Sequence, residues 1–202
     1  MAFPFGEPTV GEVRKNLAIR FNRRFGDIDM AQAPLAYFIT FTTYGTWLPG
    51  RNPGWVDRRN NQYGSPIPQP DPEKESAQRA KMRQPEYRLD DGRRAIVLKT
   101  LLEVAAHRKW QMLAAHVRSN HLHIVVRTAE KPEKVMADFK AWASRRLREA
   151  FGEDAARDRW TQHGSTKYLW TKESVVEKLE YVVHGQGAPM AVFDYRTGNK
   201  SG

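Results

Sequence analysis

Two histidines separated by one residue, His121 and His123, lie in the apolar stretch HLHIVVR. Side chains alternate along an extended strand. His121, His123, Val125 and Arg127 therefore face one way, and Leu122, Ile124 and Val126 face the other. Two imidazoles on one strand face can share a divalent metal ion. Imidazole suits several metals, so the pair alone names none. The same residues also read as two histidines on a half-exposed strand that bind nothing. Ser119 and Asn120 suit a tight turn, which brings His116 opposite His123 on the same face, as an extra ligand or a supporting partner.

The second reactive group is a phenol. In KESVVEKLEYVVH, Val175, Val176, Leu179, Val182 and Val183 form the apolar side of a helix. At ~100° per residue, Tyr181 lies roughly 160° from the centre of that side. It is either an ordinary surface tyrosine or one whose hydroxyl is presented to something. A phenol attacks phosphorus to give a stable phosphotyrosine, which a hydroxyl can later attack in reverse. Phenols ordinarily titrate near about 10, so the reaction benefits from a divalent cation that polarises the phosphate.

Positioning these groups requires a sheet and helices. Residues 35–43, LAYFITFTT, predict a strand. Residues 48–92 carry seven prolines and predict a long loop. A helix is expected over 93–109, with Ile96, Val97, Leu101, Leu102, Val104 and Ala105 as its apolar stripe. Two strands follow at 110–118 and 121–128. A second helix covers 132–151, with Pro132 in its first turn and Val135, Phe139, Trp142, Leu147 and Phe151 along one side. A short strand at 166–170 and a third helix over 172–184 complete the pattern, with Gly185 and Gly187 ending the helix. This order predicts an α+β fold, a ferredoxin-like split βαβ antiparallel sheet with helices on one face and the other face free for a site. The domain is expected over 34–187, with a Pro-rich insertion at about 48–92. Residues 1–33 form either a flexible basic arm or, before Met30, an upstream extension. Residues 188–202 form a C-terminal tail.

The 202 residues carry a formal net charge of +10 and no cysteine. Disulfide scaffolds and thiolate metal sites are thereby excluded, and a reducing compartment is expected. A basic excess points to a polyanionic partner, since Lys and Arg release counterions on meeting phosphates. No apolar run approaches the ~20 residues that span a bilayer, and the first residues do not read as a signal peptide. The expected location is cytoplasmic and nucleoid-associated, without a membrane partner.

VRSNHLHIVV resembles the signature of the HUH single-tyrosine transposases, histidine–hydrophobic–histidine on a strand after an Asn-containing turn. FTTYGTWLPG, the helix after the pair, and YLWTKESVVEKLEYVVHGQG resemble the REP-associated tyrosine transposases within that family. The resemblance covers roughly residues 35–187. It implies an HUH endonuclease fold and metal-dependent nicking and transfer of single-stranded DNA near hairpins. It also implies a covalent 5′-phosphotyrosine intermediate and Mg2+ or Mn2+ as cofactor. His121 and His123 become metal ligands and Tyr181 the nucleophile. Relatives commonly take a third ligand from Asn or Gln about one helical turn after the tyrosine. Here Gly185 stands at that position, which leaves Gln186, favoured, or His184. Relatives include monomers and homodimers that exchange the tyrosine helix, and both states are open for this chain.

Single strands are held by basic grooves and aromatic stacking. Tyr44 and Trp47 either stack on bases or pack at the sheet edge. Lys140 and Arg145 are expected phosphate contacts on the second helix. Arg127 is the expected contact near the metal, and Lys167 is a further one. Two other readings are a hairpin or single-stranded DNA-binding protein that has lost its chemistry, and an unrelated metallohydrolase of small phosphoesters.

Overall fold

Alternating aromatic and β-branched residues in AYFITFTT favour an extended chain that buries both of its faces, and that segment forms the second strand across a five-stranded sheet. The structure is a computed structural model that describes residues 33–50 and 69–197. The expected N-terminal arm, apart from its last residue, lies outside the described residues, as do residues 51–68 of the Pro-rich segment and 198–202 of the tail.

In chain order the elements are β1 (Ala36–Thr43), α1 (Pro72–Ala80), α2 (Asp91–His107), β2 (Gln111–Val117), β3 (His121–Arg127), α3 (Pro132–Phe151), β4 (Trp160–Leu169), α4 (Lys172–Val183) and β5 (Ala191–Asp194). The strand order is β4-β1-β3-β2-β5, and every neighbouring pair is antiparallel. β1 and β2 both oppose β3, which lies between them, so they run parallel to each other and are joined through α2. This is the split βαβ of a ferredoxin-like α+β fold, with β5 added at one edge.

Both faces of the sheet are packed. On one, Tyr37, Ile39, Phe41, Leu122, Ile124 and Val126 meet Val97, Leu101 and Val104 of α2 and Val135, Phe139 and Leu147 of α3. On the other, Phe38, Leu113, Ala114 and Val125 meet Val175, Leu179 and Val182 of α4. The expectation that helices occupy one face is therefore corrected: α4 covers part of the second. The physical reason is that Phe38 and Val125 share the histidine face and need cover.

Three further expectations change. Residues 72–80 form helix α1 within the segment read as loop, because Pro72 sits in the first turn and Asp71 caps Lys74 N at 2.9 Å. β4 is longer than expected, beginning at Trp160. As an edge strand it is mostly exposed and so lacks apolar alternation, and Gly164 lies where a Cβ would come within 2.6 Å of Thr40 O. The tail is not all tail: Ala191–Asp194 pairs with β2, Val192 opposite His116.

Candidate active site

β3 presents His121 and His123 on the face that α4 partly covers. β1 lies beside it, with Thr40 opposite His123 and Thr42 opposite His121. Each imidazole has its Nδ1 engaged: His123 with Thr40 Oγ1 at 2.8 Å, His121 with Asn120 Oδ1 at 2.7 Å. Such partners fix ring orientation and tautomer, and they leave the Nε2 atoms for other work. The two rings stand 4.9 Å apart at 71°.

Gln186 closes the arrangement. Its side chain lies beside both imidazoles and favours their protonated forms, against the larger effect of burial. Its amide nitrogen donates to Tyr181 O at 3.3 Å, which leaves its carbonyl oxygen as the atom that could serve a metal. Burial pushes the His121 imidazole below its ordinary range. Burial, then the neighbouring His121 and His116, push His123 down to about 3. Both rings are neutral at pH 7, the form in which imidazole binds a metal. Two imidazole nitrogens and one carboxamide oxygen make a donor set that fits a divalent ion. Among the described residues no group of three or more His, Cys, Asp or Glu forms a competing cluster.

α4 brings Tyr181 to the same place. Its capping box, Thr171 with Ser174, starts the helix, and Val175, Leu179 and Val182 bury its apolar side. Tyr181 is 42% exposed, yet its ring stands 5.4 Å from His123 and 6.0 Å from Phe38, near edge-on to both. Phe38 in turn stacks on His123 at 5.6 Å. Gly185 allows this packing. A Cβ there would lie 2.8 Å from Tyr181 O and 3.2 Å from Tyr181 Cδ2. The position with no side chain is thus one that Tyr181 itself fills, and the next residue reaches the histidines.

The other expected residues divide. His184 is exposed beside Glu180, 3.8 Å away, and does not approach the pair. His116 uses both nitrogens, Nδ1 with Val182 O at 2.9 Å and Nε2 with Met190 N at 3.3 Å, so it is a supporting residue and not a ligand. Lys167 lies on the site's face, paired in register with Phe38, and is exposed. Trp47 is 52% exposed, one residue after Thr46, whose hydroxyl donates to Asn120 O. Tyr44 packs against the core, and its hydroxyl accepts from Arg83 N, so it is a packing residue. Arg127 shares the histidine face but lies four residues from His123, about 13 Å along the strand, and is not beside the pair.

Lys140 and Arg145 belong to α3, on the opposite face of the sheet. The Lys140 ammonium is engaged by the carbonyls of Thr161 (2.9 Å), Gln162 (3.5 Å) and His163 (3.2 Å), and burial lowers it to about 8. Arg145 stacks over Trp142 at 4.8 Å. Residues that sequence reasoning missed are Thr40 and Lys178. The Lys178 ammonium lies 5.6 Å from the Tyr181 ring centre and also pairs with Glu177. Its spacing of three residues from Tyr181, one helical face, was the available signal.

No curated protein sequence matches the chain. Solved structures that resemble it include the following two. One is a REP-associated tyrosine transposase bound to a REP hairpin, at a TM-score of 0.41 and 8% identity, covering 80% of this chain and 72% of that one. The other is a Deinococcus radiodurans R1 protein described as a transposase, at 0.41 and 11%, covering 81% and 100%. The sequence profile of the IS200-like transposases matches residues 79–182, just over half of the chain, from the end of α1 through β3 and past Tyr181. The chain belongs to the IS200-like transposase family.

Proposed function

We propose that this transposase cleaves and rejoins single-stranded DNA at hairpin-associated sites, with Tyr181 as nucleophile and His121, His123 and Gln186 as ligands of Mg2+ or Mn2+. The observation that carries the reading is the convergence of Tyr181 on His123 at 5.4 Å between ring centres, with the Gln186 side chain beside both imidazoles. When bound, the divalent ion polarises the scissile phosphate and stabilises its developing charge.

The chain's own groups supply the rest. The Tyr181 hydroxyl attacks the scissile phosphorus. A bond forms between the phenolic oxygen and phosphorus, and the bond from phosphorus to the DNA 3′ oxygen breaks. The phenolic proton is released and the leaving oxygen gains one. The 5′ phosphate stays on Tyr181 until a 3′-hydroxyl attacks it in reverse. Lys178 brings a cation to the tyrosine's side of the site, where a phosphate would sit. Exposed Lys167 and Trp47 suit the flanking strand, one by charge and the other by stacking.

The reading is tested with a labelled hairpin-bearing single-stranded oligonucleotide and Mn2+, resolved in denaturing gels. A covalent adduct that is absent in Tyr181→Phe supports it. Tight binding without an adduct, under Mg2+ or Mn2+, contradicts it in favour of a protein that only binds DNA. Turnover of a small phosphoester that survives Tyr181→Phe contradicts it in favour of an unrelated hydrolase.

A further inference from the structure

His116 is fully buried near the end of β2, directly opposite His123. Its two nitrogens bind two different segments. Nδ1 meets Val182 O at 2.9 Å, in the last turn of α4, where helix carbonyls lack intrahelical partners. Nε2 accepts from Met190 N at 3.3 Å, where the chain turns back into β5. These bonds require the tautomer with the proton on Nδ1. A second tie lies on the other side of the nucleophile. Glu180 pairs with Arg196, which is itself held by Asp194, Nε to both carboxylate oxygens at 2.8 Å. Arg196 and Asp194 side chains are only 12% and 8% exposed. The residues on either side of Tyr181 are thus each anchored outside the helix, one to β2 and one to the chain just after β5.

We propose that His116 is a positioning residue for the nucleophile: it holds the end of α4 through Val182 O, with the Glu180–Arg196–Asp194 chain as its counterpart, and so sets how far Tyr181 reaches over the histidine pair. Residues 184–196 then act as a clasp that closes the tyrosine helix onto its own sheet. The inference rests on Tyr181 being the nucleophile. Small misplacements of a reacting group cost rate steeply, whereas neither tie contacts the imidazole Nε2 atoms or the exposed surface that would meet DNA.

Three variants separate the two bonds of His116. An asparagine amide occupies roughly the place of Nδ1 and keeps the bond to Val182 O. A glutamine amide reaches roughly the place of Nε2 and loses it. Leucine loses both. His116→Gln and His116→Leu are expected to slow single-turnover adduct formation at saturating oligonucleotide by about tenfold or more, with oligonucleotide and Mn2+ affinities unchanged. His116→Asn is expected to restore most of the rate lost in His116→Gln. Hydrogen exchange of the His184 and Gly185 amides, which donate to Glu180 O and Tyr181 O, is expected to quicken in the Gln and Leu variants and not in the Asn variant. A wild-type rate in His116→Gln overturns the proposal, as does loss of Mn2+ affinity in all three, which would make His116 a ligand. If the His116 variants do not fold, Arg196→Gln reads the partner tie, with an expected slower rate at unchanged affinity; an unchanged rate overturns the clasp. If the wild type itself forms no adduct, the nicking function fails, and the exchange measurement still decides whether His116 holds the helix.

Discussion

Tyr181 stands over the histidine pair because Gly185 carries no side chain. A Cβ there would meet Tyr181 O at 2.8 Å and its ring at 3.2 Å, so Gly185→Ala is expected to destabilise the protein by about 1–3 kcal/mol, as overpacking does, and to slow adduct formation. Equilibrium denaturation and single-turnover kinetics check this. Gly185→Gln, which restores the residue type common in relatives, is expected to gain no metal affinity for the same steric reason. Thr40 offers a different test. Its hydroxyl orients His123, so Thr40→Val is expected to weaken Mn2+ binding by roughly 10–100-fold without touching a ligand. Calorimetry with Mn2+ measures that, and an unchanged affinity would show the Thr40 bond to be incidental. The histidine pair and Tyr181 were legible in the sequence because each breaks a simple periodicity. Thr40 and Lys178 were not. Thr40 becomes a partner only once strand register pairs it with His123, and Lys178 looks like one more charge on a helix face.

Among the elements, the strands that were hard to read are the two edges. β4 holds Gln162, His163, Gly164, Ser165 and Lys167, and an edge strand with a solvated face carries no apolar alternation. β5 is four residues long and owes its place to β2 and to Met190 N on His116. The covering of the second face had a visible sign, an apolar Val125 between His123 and Arg127. The segment before α2 is tied to the start of β4 by Glu153, which accepts from Tyr87, Arg93 and Arg159 at 2.8–2.9 Å. Burial raises the Glu153 carboxyl, but the hydrogen bonds from Tyr87, Arg93 and Arg159 outweigh it and hold the group below its usual range. A carboxyl lowered on folding adds stability above its unfolded pKa, near about 4.5, and loses it as pH falls through the folded value. The melting-temperature gap between wild type and Glu153→Gln is therefore expected to be widest near neutral pH and to shrink below about 4.5. A gap that stays constant to pH 3 would mean that the carboxylate charge contributes nothing.

For the whole molecule, two buried histidines, His116 and His123, and the half-buried His121 govern the response to mild acid. Burial lowers His116, His121 and His123, the last to about 3. Unfolded imidazoles take up protons below about 6.5 while the folded ones stay neutral. Stability is then full above that pH and declines as pH falls toward the folded values, so melting of the metal-free protein is expected to drop between about pH 7 and 5, before carboxylates titrate. Mn2+ is expected to raise the melting temperature at pH 7 by binding the folded form. No described helix is long and apolar enough to cross a membrane, and the formal net charge of +10 suits a nucleic-acid partner.

In the proposed reaction one phenol, that of Tyr181, carries the DNA. The most direct measurement is to trap the adduct with a hairpin-bearing oligonucleotide and Mn2+, digest it with trypsin, and locate the phosphate by fragmentation mass spectrometry. The peptide after Lys178 contains both Tyr181 and Tyr195, so the fragments discriminate between them. A 5′ phosphate on Tyr181 and none on Tyr195 is expected; phosphate on any other residue, or cleaved DNA with no protein-bound phosphate, would contradict the role of Tyr181 as nucleophile.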